Sequence, residues 1–225
     1  MSSILALLFY SILSIGGFIP EGTTNSKHKQ DISQLHELYT ELNLHNKGLS
    51  QIAFDQAIDG WLQLKQTNCL QNSSRLAVAD FSLSANVKRL FLIDIPGKKL
   101  LLQTYVAHGR NTGEEFAQSF SNQPGSFQSS PGFYLTGNTY SGKHGYSLQL
   151  TGLQKGINDL AFNRAIVLHG ANYVSESFIQ NNGRLGRSLG CPAVPEDQAT
   201  QIIDEIKGGS CLYIYSPGTP ALELN

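Results

Sequence analysis

A chain of 225 residues with 40% apolar side chains and 22 glycines has the composition of a folded globular protein. Wholesale disorder and a collagen-like repeat are excluded. Its 16 basic and 17 acidic residues are only 15% of the chain and leave a formal net charge of −1. No broad field therefore exists to draw in nucleic acid or an anionic membrane surface.

The length suits one large domain, or one domain with a small attachment. Residues 4–19, ILALLFYSILSIGGFI, form the one long apolar run. That is short of the roughly 20 residues a membrane span needs, and it suits the apolar region of a secretory signal. No Lys or Arg precedes the run, since the first cation is Lys27, and no Ala-x-Ala site is obvious after it. The expectation is export to the periplasm or cell envelope, with residues 1–20 as a signal peptide. An uncleaved anchor is the alternative and would be the protein's only membrane contact.

Residues 21–30 read as a polar linker, and residues 31–74 as a helical N-terminal segment. Asp31 is placed to cap a first helix bearing Ile32, Leu35, Leu38, Tyr39 and Leu42. Ser50 is placed to cap a second, with Ile52, Ala53, Ala57, Trp61 and Leu64 on one face. The period then changes. Strands are expected over 77–82, 87–95 and 100–107, the last two joined as a hairpin across Pro96-Gly97-Lys98. Residues 109–132, rich in Gly, Ser, Asn and Gln, read as a long irregular excursion, which is usually a functional one. Strands follow at 133–136, 147–150 and 165–169. A helix opens at Pro195, carries Ala199, Ile202, Ile203 and Ile206, and stops at Gly208. A final strand, 211–215, closes a domain over 75–217, leaving a tail at 218–225. The fold class expected is mostly β with a few helices.

The chemistry concentrates in residues 165–195. A strand delivers His169-Gly170, and a glycine-rich loop ends in Ser188-Leu189-Gly190-Cys191. A nucleophilic thiol needs a base or cation, donors for an oxyanion, and exposure. His169 can serve as the base. Gly190 allows backbone N–H groups to approach a carbonyl. Arg184 and Arg187 add positive potential, and the helix at Pro195 turns its positive end back towards the thiol. This is a candidate Cys–His acyl-transfer site, and an inert buried cysteine beside a hydrogen-bonded histidine fits the spacing equally well.

The stretch resembles the L,D-transpeptidase catalytic domain, whose members carry His-Gly on one strand and Ser-x-Gly-Cys some twenty residues later. Ser130-Pro131-Gly132-Phe133 is similar to that family's Thr-Pro-x-Gly-x-Phe strand entry, and the hairpin around Pro96-Gly97 to its opening strands. The similarity spans roughly residues 85–216. It is greatest to a divergent murein L,D-transpeptidase branch carrying Arg-Ser-Leu-Gly-Cys-Pro-Ala-Val. The resemblance implies a β-sandwich or barrel catalytic domain acting on peptidoglycan stem peptides, without metal or organic cofactor. It implies Cys191 as nucleophile and His169 as base, with Ser188 and Gly190 shaping the site and the amides of Gly190 and Cys191 as oxyanion donors. Arg187, Arg184, Gly170 and His108 are the expected substrate contacts. The thioester would be resolved by a second stem's amine, giving a cross-link, or by water, giving carboxypeptidase activity. A catalytically silent wall-binding module is the alternative of another class. Departures are plain: the family's His between Ser and Gly is Leu189 here, and its Arg after the cysteine is Ala193. Arg187 is the nearest cation in sequence to take over a carboxylate.

Other residues carry weaker expectations. His144 is a supporting or a surface histidine. Arg164 is a carboxylate fork or a structural ion pair. Zinc would require His108, His144, His169 and Cys191 to converge, without the usual ligand spacing. Cys69 and Cys211 would pair only if the fold brought them together.

Overall fold

The computed structural model describes residues 33–223. The apolar run at 4–19 and the linker at 21–30 lie outside them. Residues from Leu35 onward form one compact unit. No helix among the described residues is long and apolar enough to cross a membrane.

Residues 33–41 are helical (α1), and α2 spans Gln51–Gln66. As expected, Ser50 caps α2, its hydroxyl accepting from the Ala53 N–H. The strands are β1 (Arg75–Asp80), β2 (Leu90–Asp94), β3 (Lys99–Thr104), β4 (Gly132–Gly142), β5 (Gly145–Gly152), β6 (Val167–Ala171), β7 (Ala193–Pro195) and β8 (Cys211–Tyr215). Two further helices are α3 (Glu176–Asn182) and α4 (Glu196–Ile206).

All eight strands join one sheet in the order β3-β2-β1-β8-β4-β5-β6-β7. Its two edges meet. Just past β3, Ala107 exchanges hydrogen bonds with Ala193 of β7, at 2.8 and 3.4 Å, and Gly109 bridges to Ser188. The sheet is thus nearly closed into a barrel.

The apolar runs LAVA of β1 and CLYIY of β8 explain which layers form. Successive side chains point to opposite faces of a strand, so an unbroken apolar run needs cover on both. Leu76, Val78, Cys211 and Tyr213 pack against Phe54, Trp61 and Leu64 of α2. Ala77, Ala79, Leu212 and Ile214 face the other way, towards Ile202, Ile203 and Ile206 of α4. The helical N-terminal layer therefore covers one face of the sheet.

Several boundaries differ from expectation. Pro195 ends β7 and caps α4 instead of opening it. Strand β4 runs on past Thr136 to Gly142, with a register shift between Thr136 and Thr139. Strand β7 and helix α3 both lie where the sequence pattern predicts only loop. Cys69 and Cys211 are free thiols, Cys211 being fully buried within β8.

Candidate active site

Strands β6 and β7 run parallel, with His169 opposite Ala193. Continuing that register two residues back sets Cys191 beside Val167. Val167 lies on the same face of β6 as His169, because alternate strand residues share a face. The Cys191 Sγ accepts from the Val167 N–H at 3.5 Å. Cys191 and His169 open onto one cleft of about 670 Å³. The sequence pair is therefore brought together by the register of two neighbouring strands.

His169 is almost fully buried, and its Nδ1 lies 2.8 Å from the Gly170 carbonyl. A carbonyl only accepts, so Nδ1 carries the hydrogen and Nε2 keeps a lone pair. Burial lowers the imidazole pKa, the hydrogen bond to the Gly170 carbonyl works against that, and the proximity of His144 and Lys143 lowers it further. The ring is thus neutral at physiological pH. Burial pushes the Cys191 thiol the other way, upward, while the Val167 N–H, Arg164 and Lys143 pull it back down. No hydrogen bond joins Sγ to His169 in the free chain, where Sγ faces Val167 and Ala165.

Ser188 and Gly190 hold the thiol loop. The Ser188 hydroxyl donates to the Cys191 carbonyl at 2.6 Å and accepts the Gly190 N–H at 3.0 Å. The Gly190 carbonyl accepts from Ser129 Oγ, which in turn takes the Gly109 N–H. Gly190 sits at φ +123, and a Cβ there would lie 2.8 Å from the Gln128 carbonyl, so only glycine fits. The Gly190 amide is already engaged. The Cys191 N–H has no acceptor among the described residues.

The cations sit differently from the sequence expectation. Arg184 and Arg187 both bind Glu114, at 2.8 and 2.7 Å. Arg187 Nη1 also donates to the carbonyls of Arg110 and Gly113. Arg187 reaches the cleft wall, whereas Arg184 does not line it. The guanidinium next to the thiol is Arg164, which donates to Ser121 O, Ser130 Oγ, Ser126 Oγ and Gln128 O. Arg164 thus ties the 109–131 excursion to the start of β6 through hydrogen bonds, with no ion pair among the described residues. Lys143 lines the cleft with no carboxylate partner among the described residues.

His108 is fully buried, its Nδ1 accepting from Arg89 at 2.8 Å and its Nε2 donating to Gly113 O. It does not line the cleft. Gly170 is packed against α4, where a Cβ would meet Ala199 at 2.9 Å. His144, at the tip of the β4–β5 hairpin, stacks on His169 with ring centroids 4.3 Å apart. Among the described residues no three His, Cys, Asp or Glu side chains converge on a metal position.

The described chain is a mostly β protein in which a cysteine and a neutral histidine share a cleft at the edge of two parallel strands. The L,D-transpeptidase catalytic domain matches residues 45–215, and the chain belongs to that family. The match starts well before residue 85 and takes in α2. No curated protein is similar enough to count as a match. Among solved structures, the chain is similar to an L,D-transpeptidase from Mycobacterium smegmatis (12% identity, 64% of this chain and 59% of that one, TM-score 0.39). It is also similar to L,D-transpeptidase 3 from Mycobacterium tuberculosis (11%, 64% and 61%, TM-score 0.40). A third is an L,D-transpeptidase from Stackebrandtia nassauensis (14%, 85% and 81%, TM-score 0.38). The chain spans about three-fifths of the length of the two mycobacterial proteins.

Proposed function

We propose that this protein is an exported cysteine acyltransferase acting on peptidoglycan stem peptides. The supporting observation is the shared cleft of Cys191 and His169, with His169 held as the Nδ1–H tautomer by Gly170 O. Sγ attacks the carbonyl of the L-centre of the stem's diamino acid, and its proton passes to His169 Nε2. The Cys191 N–H faces the oxyanion. Collapse breaks the C–N bond and expels the terminal D-amino acid, whose amine takes the proton from His169. The resulting thioester is resolved by the amine of a second stem, forming a cross-link.

The stem's terminal carboxylate falls to Lys143, a cleft cation without a carboxylate partner among the described residues, in preference to Arg187, which Glu114 already holds, and to Arg164, whose guanidinium four oxygens already engage. Serine and glycine of the thiol loop set geometry and do not exchange protons. Incubation with defined muropeptides, followed by mass spectrometry of the products, tests the proposal. A cross-linked dimer with release of a D-amino acid is the expected result. Release without a dimer would make the protein a carboxypeptidase, and unchanged muropeptides would make it a wall-binding module.

A further inference from the structure

Strands β4 and β5 turn through Lys143 and His144, with Gly142 paired to Gly145 on either side. Gly145 takes φ +71, as the end of so tight a turn requires. The hairpin is braced from below. Ser147, fully buried and directly opposite His169 in the β5–β6 register, donates its hydroxyl to the Gly145 carbonyl. That register fixes the tip over the cleft, where the His144 ring lies nearly parallel to His169, at 22° and 4.3 Å between centroids. One edge of His169 is held by Gly170 O and one face by His144. The remaining Nε2 edge is the one a substrate can meet.

We propose that His144 is a positioning residue for His169: the hairpin tip lays its ring on the imidazole and keeps Nε2 in the line of proton transfer. This rests on the reading of Cys191 and His169 as nucleophile and base. When the Sγ proton moves to Nε2, His169 becomes an imidazolium beneath the His144 ring. A neutral aromatic face accommodates that cation, whereas a protonated His144 opposes it. Burial and Lys143 lower the His144 pKa, which favours the neutral ring. The charged and titratable groups facing the pair across the cleft are Lys143, Tyr140, Arg164, Tyr173, Arg187 and Cys191. Burial, and to a lesser degree Lys143, lowers the pKa of both imidazoles, which favours the uncharged pair.

His144 is exposed and its backbone needs no special conformation, so replacements there leave the fold intact. His144→Ala removes the stacked face; His144→Phe keeps it and removes the titration. With muropeptide substrate at neutral pH, His144→Ala is expected to lower kcat about tenfold with KM within about twofold, and His144→Phe to restore most of the loss. A second readout needs no substrate. In imidazole 15N spectra of the full chain, the His169 titration should be stretched in the wild type, because stacked imidazoles titrate as a pair, and should become a single step in His144→Phe. Wild-type kcat in His144→Ala would overturn the proposal. So would a His144→Phe enzyme as slow as His144→Ala, or one identical His169 titration in wild type and His144→Phe. If no variant, wild type included, turns over muropeptides while the two titrations differ as stated, the substrate assignment fails and the coupling of the pair stands.

Discussion

The Ser188 hydroxyl and the Cys191 carbonyl lie 2.6 Å apart, so the residue that opens the thiol loop also fixes the backbone of the thiol itself. The same oxygen accepts the Gly190 N–H, closing a small ring around the loop. Removing that hydroxyl leaves a donor and an acceptor unpaired inside a buried loop, a cost of about 1–3 kcal/mol each when no water replaces it. Ser188→Ala is expected to lower kcat at least about tenfold, because the loop then holds Sγ loosely. KM should change little. Steady-state kinetics on a muropeptide checks this, and an unchanged kcat would remove Ser188 from the site's architecture.

Arg164 combines two effects that substitution separates. Its guanidinium holds the loop through oxygens of Ser121, Ser126, Gln128 and Ser130, and its charge pulls the Cys191 pKa down. Arg164→Lys keeps the charge and loses the fork. It should lower Tm by several degrees while the pH dependence of Cys191 alkylation by iodoacetamide stays near wild type. Arg164→Met should lower Tm and also shift alkylation to higher pH. Background labelling of Cys69 and Cys211 is subtracted with Cys191→Ala.

Lys143 and Arg187 make opposite predictions for substrate affinity. Lys143→Ala should raise KM about fivefold with kcat retained, on the order of 1 kcal/mol, the scale of one exposed ion pair. Arg187→Lys should change KM less, since Arg187 Nη1 is occupied by Glu114 and two carbonyls. The reverse order would put the stem carboxylate on Arg187.

Acid should destabilise the protein through His108. Its pKa falls to about 4, first through burial and then through Arg89, against an unfolded value near 6.5. Between these values the unfolded chain binds the extra proton and the native chain does not. Stability is therefore fully present above about pH 6.5 and is lost as pH falls towards 4, by about 3 kcal/mol for this group alone. Urea unfolding at pH 7.5 and pH 5 measures the loss. In His108→Gln, which offers donor and acceptor without titrating, the difference between the two pH values should shrink.

Much of this architecture is legible in the sequence where local chemistry and burial agree. The Pro96-Gly97 turn between two apolar runs identifies the β2–β3 hairpin, and Ser50 and Gly208 mark helix ends that the structure keeps. Strand β7 is only Ala-Val-Pro, and its place is set by partners on β6 and at Ala107, not by any pattern of its own. Helix α3 has no buried residue, so no apolar stripe announces it; Ser175 and Glu176 at its start and Gly183 at its end are short local signals.

The site divides in the same way. Cys191 and His169 stand out because thiol and imidazole are scarce and reactive. The function of Arg164 is hidden because two of its four acceptors are backbone carbonyls far away in the chain, and a carbonyl has no side-chain identity to read. Lys143 and His144 sit in an exposed turn whose sequence looks like any other. What gives them a place over the cleft is the β5–β6 register, which appears only once the sheet is assembled.

The intact mass of the protein quenched in acid during turnover of a defined muropeptide tests directly whether Cys191 carries the acyl group. The expected result is an adduct equal to the stem-bearing fragment minus its terminal D-amino acid, mapped by peptide sequencing to Cys191 and missing from Cys191→Ala, which should also lack turnover. Turnover by Cys191→Ala, or an adduct on any other residue, would contradict it.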